Sequence, residues 1–327
     1  MRNNFSALIL VIILAMSFVS SAQAADITLS SAVVINSSNK SQYECKTITG
    51  TIPADSSAGK IDSFISKGAI VVDGIELNLT INGLNVDYSE KYSMLSGISL
   101  VNNAKLHLTV NGTNNLKAGF GGAGIAVPDG CTLEITAASS GTLNATGGKN
   151  YGGGAGIGSI GDHMNTQTQA NGIYPQGLGS IIINGGTINA QGGTWYRYYT
   201  ASGGAAGIGS SEYSGSSENN PNNGDNSYVN KITGSVTING GTVNATGGLG
   251  AAGIGGGKGG TLQSITITDG TVTATERRQS VSAITTSLQA VELSHVPQSP
   301  YQAAMLRRTA VSVTAKRIPQ TRIKKEQ

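Results

Sequence analysis

Between residues 234 and 246 apolar and polar side chains alternate almost one for one: Val236, Ile238, Val243 and Ala245 are separated by Ser235, Thr237, Thr242, Asn244 and Thr246. A period of two puts the apolar set on one side of an extended chain and the hydroxyl and amide set on the other. Asn239-Gly240-Gly241 interrupts the run, and glycine lets the chain turn there at low cost. The pattern predicts two short strands joined by a tight corner. A third short run follows, with Ala252 and Ile254 apolar between glycines.

The same phrase recurs. GSVTINGGTVNATG (234–247) echoes GSIIINGGTINAQG (179–192), LQSITITDGTVTAT (262–275) and, more loosely, CTLEITAASSGTLNATG (131–147). Three copies lead into GGAGIGS (153–159), GAAGIGS (204–210) and GAAGIGGG (250–257), and LNLTING (77–83) returns as LHLTVNG (106–112). Repetition of this kind makes each unit one layer of a stack, because a single layer cannot bury its apolar face. Three strands with glycine-rich corners make one coil of a parallel β-solenoid, with about six coils between residues 70 and 275. Ile157, Ile208 and Ile254 are expected as one interior ladder, and Leu143, Ile188, Val243 and Val272 as another. A helical reading fails on the glycine content and the dominance of Val, Ile and Thr.

The spacing is uneven. Thr142 to Thr187 is 45 residues, Thr187 to Thr242 is 55 and Thr242 to Thr271 is 29. The extra residues enter at two corners, just before the GAGIG phrase (Tyr151; Thr194–Ser202) and just after it (Asp162–Gly177; Glu212–Lys231). Insertions confined to fixed corners place their loops on one side of the stack, where repeat proteins usually bind.

Composition changes the picture at the two ends. Residues 1–24 carry Arg2, an apolar run at Leu8–Ala15 and Ala22-Gln23-Ala24, the pattern of a secretory signal peptide; an uncleaved membrane anchor is the weaker reading because the run is short. After Thr275 there is no glycine, and nine Arg and Lys against three Glu give +6, so residues 1–275 carry −3 of the total +3. The tail reads as a basic arm for anionic surfaces or, as the plainer account, a weakly ordered terminus dispensable for the fold. The expected organisation is 1–24 signal peptide, 25–69 N-terminal segment and cap, 70–275 β-helix and 276–327 tail. Cys45 and Cys131 are either a disulfide, which secretion permits, or two buried free thiols.

Candidate chemistry is sparse. From the start of the mature chain to residue 275 there are one arginine, Arg197, and two histidines, His107 and His163. If Ile157 and Ile208 stack, Asp162 and Glu212 fall near one corner of adjacent coils and are the candidate Ca²⁺ ligands; solvated charges or an ion pair are the plain alternative. Aromatic residues are more telling. Tyr151, Tyr174, Trp195, Tyr196, Tyr198, Tyr199, Tyr213 and Tyr228 collect in the insertions. Flat rings with a polar tip suit the faces of sugar rings, and Trp195, Tyr196, Tyr198, Tyr199, Tyr151 and Tyr213 are the candidate ligand-binding residues; closing the insertion loops over the solenoid flank is the alternative role for each ring. Outward Asn and Thr rows add hydrogen-bonding groups at repeating intervals.

The phrases at Gly141–Gly148, Gly153–Ser159, Gly185–Gly193, Gly203–Ser210, Gly240–Gly257 and Gly270–Thr275 resemble the glycine-rich coils of secreted bacterial proteins described as carbohydrate-binding-domain-containing. That resemblance covers about two-thirds of the chain and implies an all-β fold, a single-stranded right-handed parallel β-helix. The tail departs from it. The expectation is a secreted or cell-surface, non-catalytic binding module for polysaccharide, with no nucleic-acid partner and no membrane span in the mature chain. The rivals are a β-helix polysaccharide lyase or glycosidase, and a structural spacer or adhesin that binds no sugar.

Overall fold

The computed structural model describes residues 26–54, 67–91, 94–150, 153–161, 177–197, 200–211, 234–258, 260, 262–277 and 311–315. They form a parallel β-helix, and the only helix among them is the four-residue turn Lys40–Tyr43. From the coil of Ser96–Val101 onward each coil contributes three strands. The first face is a seven-stranded sheet of short strands: Val33–Ile35, Gly68–Asp73, Ser96–Val101, Ile125–Ala126, Ile157–Gly158, Ile208–Gly209 and Ile254–Gly255. The second and third faces belong to one fourteen-stranded sheet. It is continuous because Glu76–Asp87 bends round the corner, pairing with Lys105–Asn111 by its first half and with Thr113–Lys117 by its second. Later coils split this strand in two. The second face stacks Thr132–Ile135, Ser180–Ile183, Ser235–Ile238 and Ser264–Ile267 in succession. The third stacks Thr113–Lys117, Thr142–Thr146, Thr187–Gln191, Thr242–Leu249 and Gly270–Arg277.

Register is what the repeats dictate. Ile157, Ile208 and Ile254 pair in order, as do Leu143, Ile188, Val243 and Val272. The isoleucine ladder also runs downward through Ile125, Ile98 and Ile70. A one-residue slip would turn every apolar residue outward, so the alternation locks each coil on its neighbour. Ile208 is fully buried, and removing such a side chain from water is worth about 1.5–3 kcal/mol. One core rung is polar. Asn114 lies beneath Leu143, accepts from the Leu84 backbone nitrogen at 2.9 Å and donates to the Asn111 carbonyl at 2.8 Å. It satisfies backbone groups left where the bent strand gives way to the corner of the later coils.

The glycine phrases build the edge where the first and third faces meet. A Cβ on Gly156 would lie 2.6 Å from the Gln191 nitrogen and 2.7 Å from the Gly207 carbonyl oxygen; one on Gly207 would lie 2.7 Å from both the Thr246 nitrogen and the Gly253 oxygen. Backbone packs on backbone there, and a side chain has no room. The phrase also closes on itself: the Ala155 nitrogen donates to the Ser159 carbonyl at 2.9 Å, Ala206 to Ser210 at 3.0 Å and Ala252 to Gly256 at 3.1 Å. At the second glycine φ is 142°, 136° and 137° in three stacked coils, a backbone state that side-chain-bearing residues rarely adopt.

Both ends extend past the repeats. Val33–Ile35 pairs with Gly68–Asp73 and Lys46–Ile52 with Glu76–Asp87, so the stretch before residue 70 supplies a first coil. Within the tail, Val311–Ala315 runs antiparallel to the last third-face strand, pairing Gly270 with Ala315 and Ala274 with Val311. Cys45 is exposed, Cys131 is buried, and both are free thiols; burial pushes the Cys131 thiol up. No helix among the described residues is long and apolar enough to cross a membrane.

Candidate functional site

The third face carries a regular array. Its outward positions form three files running up the stack: Thr113, Thr142, Thr187, Thr242 and Thr271; Asn115, Asn144, Asn189, Asn244 and Thr273; Lys117, Thr146, Gln191, Thr246 and Thr275. They alternate with the buried Leu143, Ala145, Ile188, Ala190, Val243 and Ala245, so packing of the inward residues fixes the outward spacing. The Asn file is a ladder of side-chain amides: Asn144 donates to Asn115 at 2.9 Å, Asn189 to Asn144 at 2.8 Å and Asn244 to Asn189 at 2.9 Å. From Thr142 to Thr275 the three files hold no charge. Charge lies at the margins, in the 2.8 Å Lys117–Asp87 pair below and in Glu276 and Arg277 beyond.

An aromatic hairpin leaves this face at its corner. The array strand Thr187–Gln191 passes through Gly192-Gly193 into Thr194–Arg197, which pairs antiparallel with Thr200–Gly204. Trp195 is half-buried and stands opposite Gly203 in the hairpin register. The base of the hairpin is tied to neighbouring coils: Asn150 donates its backbone N–H to the Thr194 carbonyl at 3.1 Å, and Lys258 donates to the Gly204 carbonyl at 2.9 Å. Of the six aromatic candidates, Trp195 and Tyr196 lie in this strand. Tyr151 follows Asn150 and Tyr198 and Tyr199 follow Arg197, but these three and Tyr213 lie outside the described residues. The candidate cation ligands Asp162 and Glu212 lie outside them too, although the Ile157–Ile208 pairing on which their proximity depended is present. Among the described residues, no group of three or more His, Cys, Asp or Glu could hold a metal ion.

The structure brings together one cluster that reading the sequence did not. His107, on the second face, sits between carboxylates of the coils below and above: Nε2 is 2.9 Å from Glu76 Oε1, and Nδ1 is 2.6 Å from Glu134 Oε2. Both ring nitrogens donate at once only in the imidazolium form. The hydrogen bond to Glu76 and, against the opposing effect of burial, that to Glu134 raise the His107 pKa; the His107 bond and nearby Lys105 lower that of Glu76. Glu134 also accepts from Asn184 at 2.7 Å, Asn184 from Asn239 at 2.9 Å and Asn239 from Thr268 at 2.8 Å. The file is continuous from the second coil to the last. Bonded to a carboxylate of the coil on either side, the ring stitches three coils together. The signal was in the register: aligning LHLTVNG with CTLEIT puts His107 beside Glu134.

Residues 181–199 and 236–258 match a family model described as a beta helix repeat. These segments hold two complete array strands, the short strand Ile254–Gly255 and the first strand of the aromatic hairpin. The match agrees with the parallel β-helix and says nothing of ligand or activity. No curated protein and no solved structure matches the chain.

Proposed function

We propose that the protein is a secreted or cell-surface, non-catalytic binding module for polysaccharide. The observation that carries this reading is the continuity between the uncharged Thr and Asn face and the hairpin bearing Trp195 and Tyr196. An aromatic ring offers apolar area to the C–H face of a sugar, and the adjoining hydroxyls and amides offer donors and acceptors to its hydroxyl groups. A spacer would need neither. The N-terminal 24 residues support export, and the exposed polar surface of every coil suits a chain that works in water.

The test is retention of the full mature chain, residues 25–327, on a panel of insoluble polysaccharides, with the Trp195→Ala/Tyr198→Ala variant beside it. The parent should be retained by at least one polysaccharide, and the variant should bind about tenfold or more weakly while melting within about 1 kcal/mol of the parent. A parent that binds none of the panel overturns the reading. Unchanged retention by the variant removes the hairpin from the site, and loss of its fold makes the rings packing residues.

A further inference from the structure

The third face is periodic in two directions. Adjacent coils set like residues about 4.8 Å apart, and alternate residues along a strand set the files about 6.6 Å apart. Twelve outward positions on four successive coils, Thr142 to Thr275, occupy this grid without a charge. The grid is held from beneath by the buried aliphatic ladders and across its middle by the amide ladder. In that ladder Asn144 and Asn189 each use one N–H and one oxygen lone pair on their neighbours. Each amide retains a second N–H and a second lone pair. The coils of Thr142, Thr187 and Thr242 therefore each offer a Thr hydroxyl and an amide edge at the same height, and the last coil offers hydroxyls alone.

Such a surface selects for order in its ligand. It is the open face of a sheet and not a pocket, so one sugar would bury little area on it, and each hydrogen bond exchanged with water yields only about 0.5–1.5 kcal/mol. A flexible soluble chain would spend that gain on its own ordering. A ligand whose hydroxyl groups already stand in a fixed lattice makes many contacts together at no such cost. Its charge must match too: a neutral face between charged margins favours a neutral ligand over an acidic glycan.

We infer that the third face docks onto the flat surface of a crystalline, uncharged polysaccharide and discriminates against the amorphous form of the same polymer. The inference rests on the polysaccharide-binding reading and adds which physical form is bound and which residues select it. Thr187 and Thr242 lie on the two middle coils of the grid, in the file beside the amide ladder, and the hairpin supplies anchoring at the opposite edge.

The experiment measures depletion of the full mature chain from solution by microcrystalline cellulose and crystalline chitin, and by the acid-swollen form of each. The parent should bind one crystalline solid about tenfold or more tightly, per accessible area, than its swollen counterpart. Thr187→Lys/Thr242→Lys, which raises two long charged side chains from the grid, should remove that preference and leave the weaker binding to swollen material. Thr187→Val/Thr242→Val keeps shape and strand propensity while deleting the hydroxyls, and should lose most of the preference with its melting curve unchanged; it decides the matter if the lysine variant does not fold. Equal binding to both forms of a polymer overturns the inference and leaves polysaccharide binding standing. A crystalline preference that survives both threonine variants and is lost in Trp195→Ala assigns selectivity to the hairpin and also overturns it. Binding to neither form of either polymer overturns the inference, and retention by another polysaccharide of the panel would still leave polysaccharide binding standing.

Discussion

Gly207→Ala should destabilise the protein by about 2–3 kcal/mol, although alanine at a residue of ordinary φ should help. Gly207 is not among the glycines in the left-handed region, so the backbone there would accept alanine. Replacing glycine at a compatible site is worth about 0.4–1 kcal/mol through the unfolded chain. Against that stand three backbone atoms around the new Cβ: the Gly253 oxygen at 2.7 Å, the Thr246 nitrogen at 2.7 Å and the Ala190 oxygen at 2.9 Å. Carbon packs comfortably at about 3.5 Å or more, and no side chain is available to move aside. Relief requires parting the rungs, which lengthens the bonds from Ile208 N to Gly253 O, now 2.8 Å, and from Gly207 N to Ala252 O, now 3.2 Å. Overpacking of about 1–3 kcal/mol and weakening of two bonds worth about 1 kcal/mol each outweigh the entropic gain. At about 2–4 °C per kcal/mol for a chain of this size, the melting temperature should fall by about 5–10 °C. Gly250→Asn is the control: φ is +69°, nothing stands within 4 Å, and asparagine tolerates that backbone state, so it should melt close to the parent. Melting followed by circular dichroism reads both. A Gly207→Ala protein within about 0.5 kcal/mol of the parent would refute the backbone-on-backbone edge.

Two further outcomes follow from named contacts. The His107 pKa is raised, so its stabilisation is fully present below its unfolded value of about 6.5 and is lost as pH rises through the folded value; Glu76, lowered, contributes above about 4.5 and loses this as pH falls. Melting temperature against pH should therefore show a contribution from this network that is greatest between about 4.5 and 6.5 and absent in His107→Gln, and identical profiles for parent and variant would remove the network from the stability balance. Ending the chain after Arg277 deletes Val311–Ala315 and bares the Gly270–Arg277 edge, so sedimentation velocity should show more self-association than the parent; a profile identical to the parent's would make that strand dispensable.

The repeats made the coil legible because the alternation in GSVTINGGTVNATG specifies two strands, a corner and an inward face, and copies of one phrase must share a register. Ile208 and Val243 could be placed in ladders from letters alone. Three things escaped. Asn114 sits where its sequence neighbours suggest a polar corner, and only the transition from the bent strand Glu76–Asp87 to split strands explains its burial. His107, Glu76 and Glu134 belong to phrases that diverge outside their apolar positions, so their convergence emerges only when looser copies are aligned. The strand in the tail lacks the glycine corners that mark the others and pairs in the opposite direction. For the candidate site, the Thr and Asn rows were readable as a face. That they join the aromatic insertion through Gly192-Gly193 required the hairpin.

The direction of the hydrogen bonds has a mechanical consequence. In a stack of parallel strands the backbone bonds between coils point along the long axis, so tension applied between the two ends loads them one coil at a time instead of all together in shear. Coils contact only their neighbours, and the stack should part sequentially from an end. The 29 residues from Thr242 to Thr271 release about 100 Å of chain, whereas the 55 from Thr187 to Thr242 release nearly twice that. A protein held at one end and gripping a solid along its third face would yield in steps of unequal length, spending force on extension before the grip is lost.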